Sequence, residues 1–135
     1  MGIDLIAHLE EFQGENWVHL DDLHPPRSPK LIAKILGGRD LSIHRYTRPR
    51  GFPKDASTQS QEAYGGRFDQ LDGLGATWLS KVEVLIVENW WVKYMKQERF
   101  LPVSLPDNSR VIFYYSEFGD RDYEGDYQRD FGAGD

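Results

Sequence analysis

Trp78-Leu79-Ser80-Lys81-Val82-Glu83-Val84-Leu85-Ile86-Val87-Glu88-Asn89-Trp90-Trp91 is the stretch whose secondary structure decides the fold. With a period of two, Val82, Val84 and Ile86 make one face of a strand. Against that, Ser80 and Glu83 have the spacing of a capping box, in which the serine takes a backbone N–H and the glutamate returns to the cap's own N–H. The apolar run from Trp78 to Phe100 is also too long for an average strand. Cap and length together predict a helix from about Lys81 to Gln97. On it Trp90 and Trp91 point roughly 100° apart, so one belongs to the core and the other to an interface or pocket.

Toward the C-terminus, Pro102 and Pro106 bound a loop, and Pro106-Asp107-Asn108-Ser109 is a turn. Arg110-Val111-Ile112-Phe113-Tyr114-Tyr115 has the β-branched and aromatic content of a central strand. Toward the N-terminus, residues 67–77 hold Gly73 and Gly75 among Asp, Gln and Leu and are expected to form a loop. Ala56 to Tyr64 suits a helix capped by Ser57 or Thr58 and closed by Gly65-Gly66. Residues 39–54 lose apolar periodicity, and Pro49, Gly51 and Pro53 make them a long loop. Lys30 to Leu36 is a short helix with Ser28 as cap, Pro29 at its first position and Gly37-Gly38 at its exit. Ile3, Leu5, Ala7 and Leu9 alternate with Asp4, His8 and Glu10, with Ile6 breaking the pattern. That strand, the turn Gln13-Gly14-Glu15-Asn16 and Trp17-Val18-His19-Leu20 form a β-hairpin.

The order predicts an α+β fold, with a small, mostly antiparallel sheet (N-terminal hairpin plus C-terminal strand) packed with two or three helices. Residues 1–118 form one domain, and residues 119–135 are an acidic, Tyr-rich flexible tail.

The 135 residues include four Trp, seven Tyr and seven Phe, enough bulk for a core without disulfides. The lack of cysteine excludes thiol catalysis and Cys-ligated zinc. No apolar run reaches the ~20 residues of a membrane span and no secretory leader is recognisable, so a cytoplasmic protein is expected.

The net charge of −6 conceals strong segregation. Residues 1–26 carry Asp4, Glu10, Glu11, Glu15, Asp21 and Asp22 without a Lys or Arg. Residues 27–54 carry Arg27, Lys30, Lys34, Arg39, Arg45, Arg48, Arg50 and Lys54 against Asp40 alone. The tail is acidic again.

Three groups of residues could carry chemistry. The loop holding Arg45, Arg48 and Arg50, with Arg67 and Trp78, offers guanidinium forks and an aromatic surface for an anionic ligand, either a nucleotide or an acidic protein patch. Duplex DNA suits it poorly, since the rest of the chain is acidic. Its bland reading is internal pairing with the acidic hairpin or tail. The segment His19-Leu20-Asp21-Asp22-Leu23-His24, joined by Asp4 and His8, supplies imidazole and carboxylate ligands for a divalent ion; positions 19 and 21 of a strand share a side, which makes Asp4, His8, His19, Asp21 and His24 the expected set. A polar strand edge explains them equally well. In the tail, acids spaced by aromatics could imitate a nucleic-acid backbone. No Gly-rich phosphate loop, GxSxG elbow or other cofactor motif is present.

Several short motifs resemble a family of small proteins encoded by tailed bacteriophages and prophages. They are Met1-Gly2-x-Asp4 with His8, Leu31-x-Ala33-x-x-Leu36-x-Gly38-Arg39, Arg50-Gly51-Phe52-Pro53-x-Asp55-x-Ser57, Trp78-Leu79-Ser80, and Arg110-Val-Ile-Phe-Tyr-Tyr. They are scattered over most of residues 1–118, and the run from Arg50 to Ser57 is the most distinctive. Such proteins commonly place the early histidine two residues after the aspartate and have a His-rich stretch before Trp-Leu. Here the spacing is four, and Gly73-Leu74-Gly75-Ala76-Thr77 holds no histidine.

The resemblance implies a phage accessory protein that works in the infected bacterium by binding a host or defence protein. No activity or cofactor follows from it. Binding through the basic loop is the leading expectation, ahead of tail mimicry and of a metal-dependent phosphoesterase built on the early Asp and His residues.

Overall fold

The computed structural model describes residues 3–37, 42–65 and 75–117. The acidic tail, Arg67 and the glycine-rich stretch 66–74 lie outside the described residues.

The hairpin forms as its alternation predicts: β1 (Ile3–Gln13) pairs antiparallel with β2 (Asn16–Leu23). Gly14 leads the two-residue turn at φ 65°, a conformation strained for any side chain with a Cβ. Helix α1 (Pro29–Ile35) is capped by the Ser28 hydroxyl, which accepts from the Leu31 N–H. Helix α2 (Thr58–Tyr64) is capped by Ser57 and ends on Gly65 in the left-handed region.

The ambiguous stretch divides in two. Its first residues form the strand β3 (Ala76–Ser80), and Ser80 then caps α3 (Lys81–Tyr94) with both halves of the capping box in place. β3 is a correction, because residues 67–77 were expected to be a loop up to Thr77. The helix also stops at Tyr94 rather than Gln97, with Lys96 at φ 58° just past its end. Val84, Val87, Glu88 and Trp91 are its buried residues, on a helical spacing, whereas Val82 and Ile86 are exposed. The strand-like alternation of Val82, Val84 and Ile86 was therefore incidental. Trp91 belongs to the core, and half-buried Trp90 lies beneath the Lys34 amine.

The last strand, β4 (Ser109–Glu117), pairs with β1 on one side and β3 on the other. Among the described residues the result is a four-stranded antiparallel sheet in the order β2-β1-β4-β3, with three helices, as the α+β expectation requires.

Both faces of the sheet are covered. Leu5, Ala7, Leu9, Leu79, Val111 and Phe113 pack against Leu31 and Ile35 of α1 and Val84, Val87 and Trp91 of α3. The opposite face carries a smaller apolar cluster of Ala76, Ile112 and Tyr114 with Ala56 and Tyr64. Phe52 stacks on Tyr64 at 4.1 Å, which fixes the segment leading into α2 over that face. Glu88, 1% exposed, tethers the chain beyond α3 by accepting from the N–H groups of Phe100 and Leu101 at 2.9 and 2.6 Å. No described helix is long and apolar enough to cross a membrane.

Candidate functional site

The face beneath α2 brings polar residues together that are distant in sequence. Along β1, His8 and Glu10 stand on this side, and on β4 so do Arg110, Ile112 and Tyr114, because His8 pairs with Ile112 and Glu10 with Arg110. On β2 the regular period is interrupted. Leu9 is opposite Asp21 but Glu10 is opposite His19, so Leu20 is the extra residue of a β-bulge. The bulge swaps the expected partners. His19 and Asp22 share the His8 side of the sheet, and Asp21 does not.

The three side chains meet. The Asp22 carboxylate accepts at Oδ1 from Nδ1 of His8 and from Nε2 of His19, both at 2.7 Å. Nε2 of His8 lies 2.9 Å from the Tyr114 hydroxyl. Since the carboxylate can only accept, a neutral His8 carries its proton on Nδ1 and accepts at Nε2 from Tyr114 O–H. Burial pushes the Asp22 carboxyl up, but the hydrogen bonds and charges of His19 and His8 outweigh it and hold the pKa below the usual carboxylate value. Asp22 therefore stays ionised between two imidazoles.

Beside these groups is a cavity of about 460 Å³, lined by residues that include Asp4, His8, Asp22, His24, Arg27 and Tyr114. Ala63 of α2 forms part of another wall. The expected ligand set is thus split: His8 and His19 belong to one cluster, Asp4 is bound by Nε of Arg27 at 2.7 Å, and His24 lines the cavity. Asp22, the neighbour of Asp21 in the candidate segment, takes the place expected for Asp21.

Next to this cluster is a buried ion pair. Glu10 is 0% and Arg110 4% exposed, with Nη2 to Oε1 at 2.9 Å and Nε to the same oxygen at 3.1 Å. The other Glu10 oxygen accepts from the Ser57 N–H at 2.9 Å, which ties the start of α2 to the sheet. Burial raises the Glu10 pKa, but hydrogen bonds from Ser60, Ser57 and Arg110 more than offset this and leave it lowered. The Arg110 guanidinium lies 3.8 Å from the Trp17 ring and also reaches Asp55 at 3.1 Å.

The basic loop divides its arginines. Arg50 is tied to the start of α3: Nη1 and Nη2 donate to the two Glu83 oxygens at 2.7 and 2.6 Å, and Nη1 also donates to the Trp78 carbonyl at 3.0 Å. Its guanidinium covers the Trp78 ring at 4.6 Å. The hydrogen bonds and charge of Arg50 hold Glu83 down to about 2, against the smaller effect of desolvation. The Tyr46 N–H donates to the Lys34 carbonyl at 2.8 Å and anchors the loop's other part on α1. Arg45 and Arg48 are exposed and make no ion pair among the described residues.

The acidic hairpin and basic segment do meet, but at Asp4 and Arg27 rather than through these loop arginines. Glu10 and Arg110 had no signal in the sequence, since their partnership depends on the β1–β4 register. Asp22 lies in the same His19–His24 segment, but the bulge that exchanges its side with Asp21 depends on the pairing of β2 with β1. No protein-family model matches the chain, and no curated protein or solved structure matches it.

Proposed function

We propose that this protein works by binding a small polar ligand in the cavity on the polar face of the sheet, without catalytic turnover. One observation carries the reading: the buried His8 imidazole is held by Asp22 and Tyr114 at the wall of a cavity of about 460 Å³. That volume suits a ligand of nucleotide size, and convergent polar groups with a shifted pKa favour a working site. Arg27 and His24 bring to the same cavity the groups that take a phosphate or carboxylate. The phage resemblance supports a ligand or target in the bacterial host, in a counter-defence or host-inhibiting role.

Thermal unfolding in the presence of linear and cyclic nucleotides tests the reading. A ligand at about 100 times its dissociation constant adds roughly 2.7 kcal/mol of stability, enough for a clear rise in unfolding temperature. The rise should shrink in Arg27→Ala and His24→Ala, whose side chains are on the exposed part of the cavity wall. No rise with any member of the panel would exclude a nucleotide.

A second reading, an acidic patch on a bacterial protein docking on the basic loop, is favoured by the exposure of Arg45 and Arg48 on an anchored backbone. In it Arg50 and Trp78 are the brace of the loop rather than its contact surface. Capture of a host protein by the wild-type chain, lost in the Arg45→Ala, Arg48→Ala double variant, is the result expected.

A further inference from the structure

We infer that His8, His19 and Asp22 form a site for a first-row divalent transition-metal ion, best matched by Zn²⁺. This deepens the reading of the cavity as the working site by naming what one of its walls holds.

The donor atoms of the three side chains all lie within 4.8 Å of one another. Both imidazole nitrogens are 2.7 Å from the same Asp22 oxygen. With metal–ligand distances of about 2.0–2.1 Å, tetrahedral donors stand about 3.3 Å apart, so each Asp22–imidazole contact needs to open by about half an ångström, while the two imidazole nitrogens, within 4.8 Å of each other, come to that same spacing. Asp22 is the member able to give way. Its side chain is 57% exposed, while those of His8 and His19 are 5% and 8% exposed and set by the sheet.

The donor types select the ion. Two imidazoles and a carboxylate suit Zn²⁺ and its neighbours, whereas Mg²⁺ and Ca²⁺ favour oxygen ligands throughout. Three protein ligands leave a fourth position for water or for an oxygen of a bound ligand. Because His8 and Asp22 also line the cavity, that position opens toward it.

The surroundings of His8 fit the same role. An imidazole that binds a metal through one nitrogen is usually oriented by a hydrogen bond at the other, and here Tyr114 supplies it at 2.9 Å. With Nδ1 given to the ion, the single ring proton sits on Nε2 and donates to the Tyr114 oxygen. Without the ion, the hydroxyl donates instead. A tyrosine can serve in both directions, which a backbone carbonyl cannot.

The test is calorimetric titration of the chelator-treated full chain with ZnCl₂ alone. One ion per chain should bind with a micromolar or tighter dissociation constant, and both Asp22→Asn and His19→Ala should weaken it at least tenfold. Absence of saturable binding at about 100 μM Zn²⁺, or affinity unchanged in both variants, overturns the site.

Should a variant not fold, imidazole nitrogen spectra of the wild-type chain decide. Zn²⁺ must shift His8 and His19 and spare His44, and the reverse pattern refutes the assignment. No organic ligand enters the titration, so its failure leaves the cavity reading intact, and a blank nucleotide screen beside a positive titration leaves the metal site intact.

Discussion

On the side of the sheet facing α1 and α3, Leu5, Ala7 and Leu9 of β1 meet Val111 and Phe113 of β4 in a continuous apolar core. One residue along the same strands, His8 and Glu10 meet Ile112, Tyr114 and Arg110. Both sets are buried along β1 and β4, yet their stability has different origins. The apolar face is held by volume, and a deletion there leaves a cavity. The polar face adds to its smaller apolar cluster a buried ion pair, and deleting one member of that pair leaves its partner stranded in a dry environment. Groups already desolvated and oriented bind a ligand with little further ordering, so the polar face is the one suited to function.

The largest effect should come from the apolar side. Phe113 is 0% exposed, and Phe113→Ala is expected to cost about 3–5 kcal/mol by urea unfolding. Glu10→Ala should cost nearly as much, about 3 kcal/mol, by leaving the buried Arg110 with the exposed Asp55 as its carboxylate partner among the described residues. The two variants should differ in kind. Loss of the Glu10 carboxylate also releases the Ser57 N–H, so amide exchange at the start of α2 should accelerate in Glu10→Ala beyond its global destabilisation. If Glu10→Ala costs under about 1 kcal/mol, the polar face is not held by its ion pair and the contrast fails.

A smaller effect belongs to the brace between the basic loop and α3. Glu83 is lowered from 4.5 to about 2 by Arg50, so its contribution is complete above about pH 4.5 and is lost as the pH falls toward 2. Both side chains are about a quarter exposed, and solvent screening reduces the gain to roughly 1–2 kcal/mol. Glu83→Gln should therefore lower stability at pH 7 by that amount and flatten its decline below pH 4.5. An unchanged acid limb would mean that other carboxylates dominate there.

What could be read in advance follows how local the determinants are. Ser28-Pro29, the Ser80–Glu83 capping box and the Gly14 turn act within a few residues, and the elements they start or join were legible. β3 was not. Its five residues follow Gly75, and their place in the core depends on distant partners: pairing with β4, and packing of Leu79 with α1 and α3 and of Ala76 with Ala56 and Tyr64. The site was half legible for a similar reason. His8 and His19 carry suitable chemistry on their face, but the choice between Asp21 and Asp22 turns on a single extra residue, Leu20, relative to β1. That bulge is a property of the pair of strands, and β2 alone does not reveal it.

The smallest stability effect is expected at Arg48, and it separates the two candidate surfaces most cleanly. Its side chain is exposed and makes no ion pair among the described residues, so Arg48→Ala should change unfolding free energy by less than about 0.5 kcal/mol. Arg50→Ala should cost more, because it frees Glu83 and uncovers Trp78. If the cavity is the only working site, Arg48→Ala leaves nucleotide and Zn²⁺ binding unchanged, since no loop arginine lines it. If an acidic partner docks on the loop, the same substitution weakens capture of that partner and makes the remaining binding less sensitive to salt, because one screened charge contact has gone. A change in nucleotide or Zn²⁺ affinity in Arg48→Ala would connect two surfaces that the fold keeps on different elements, and would break the division of labour between them.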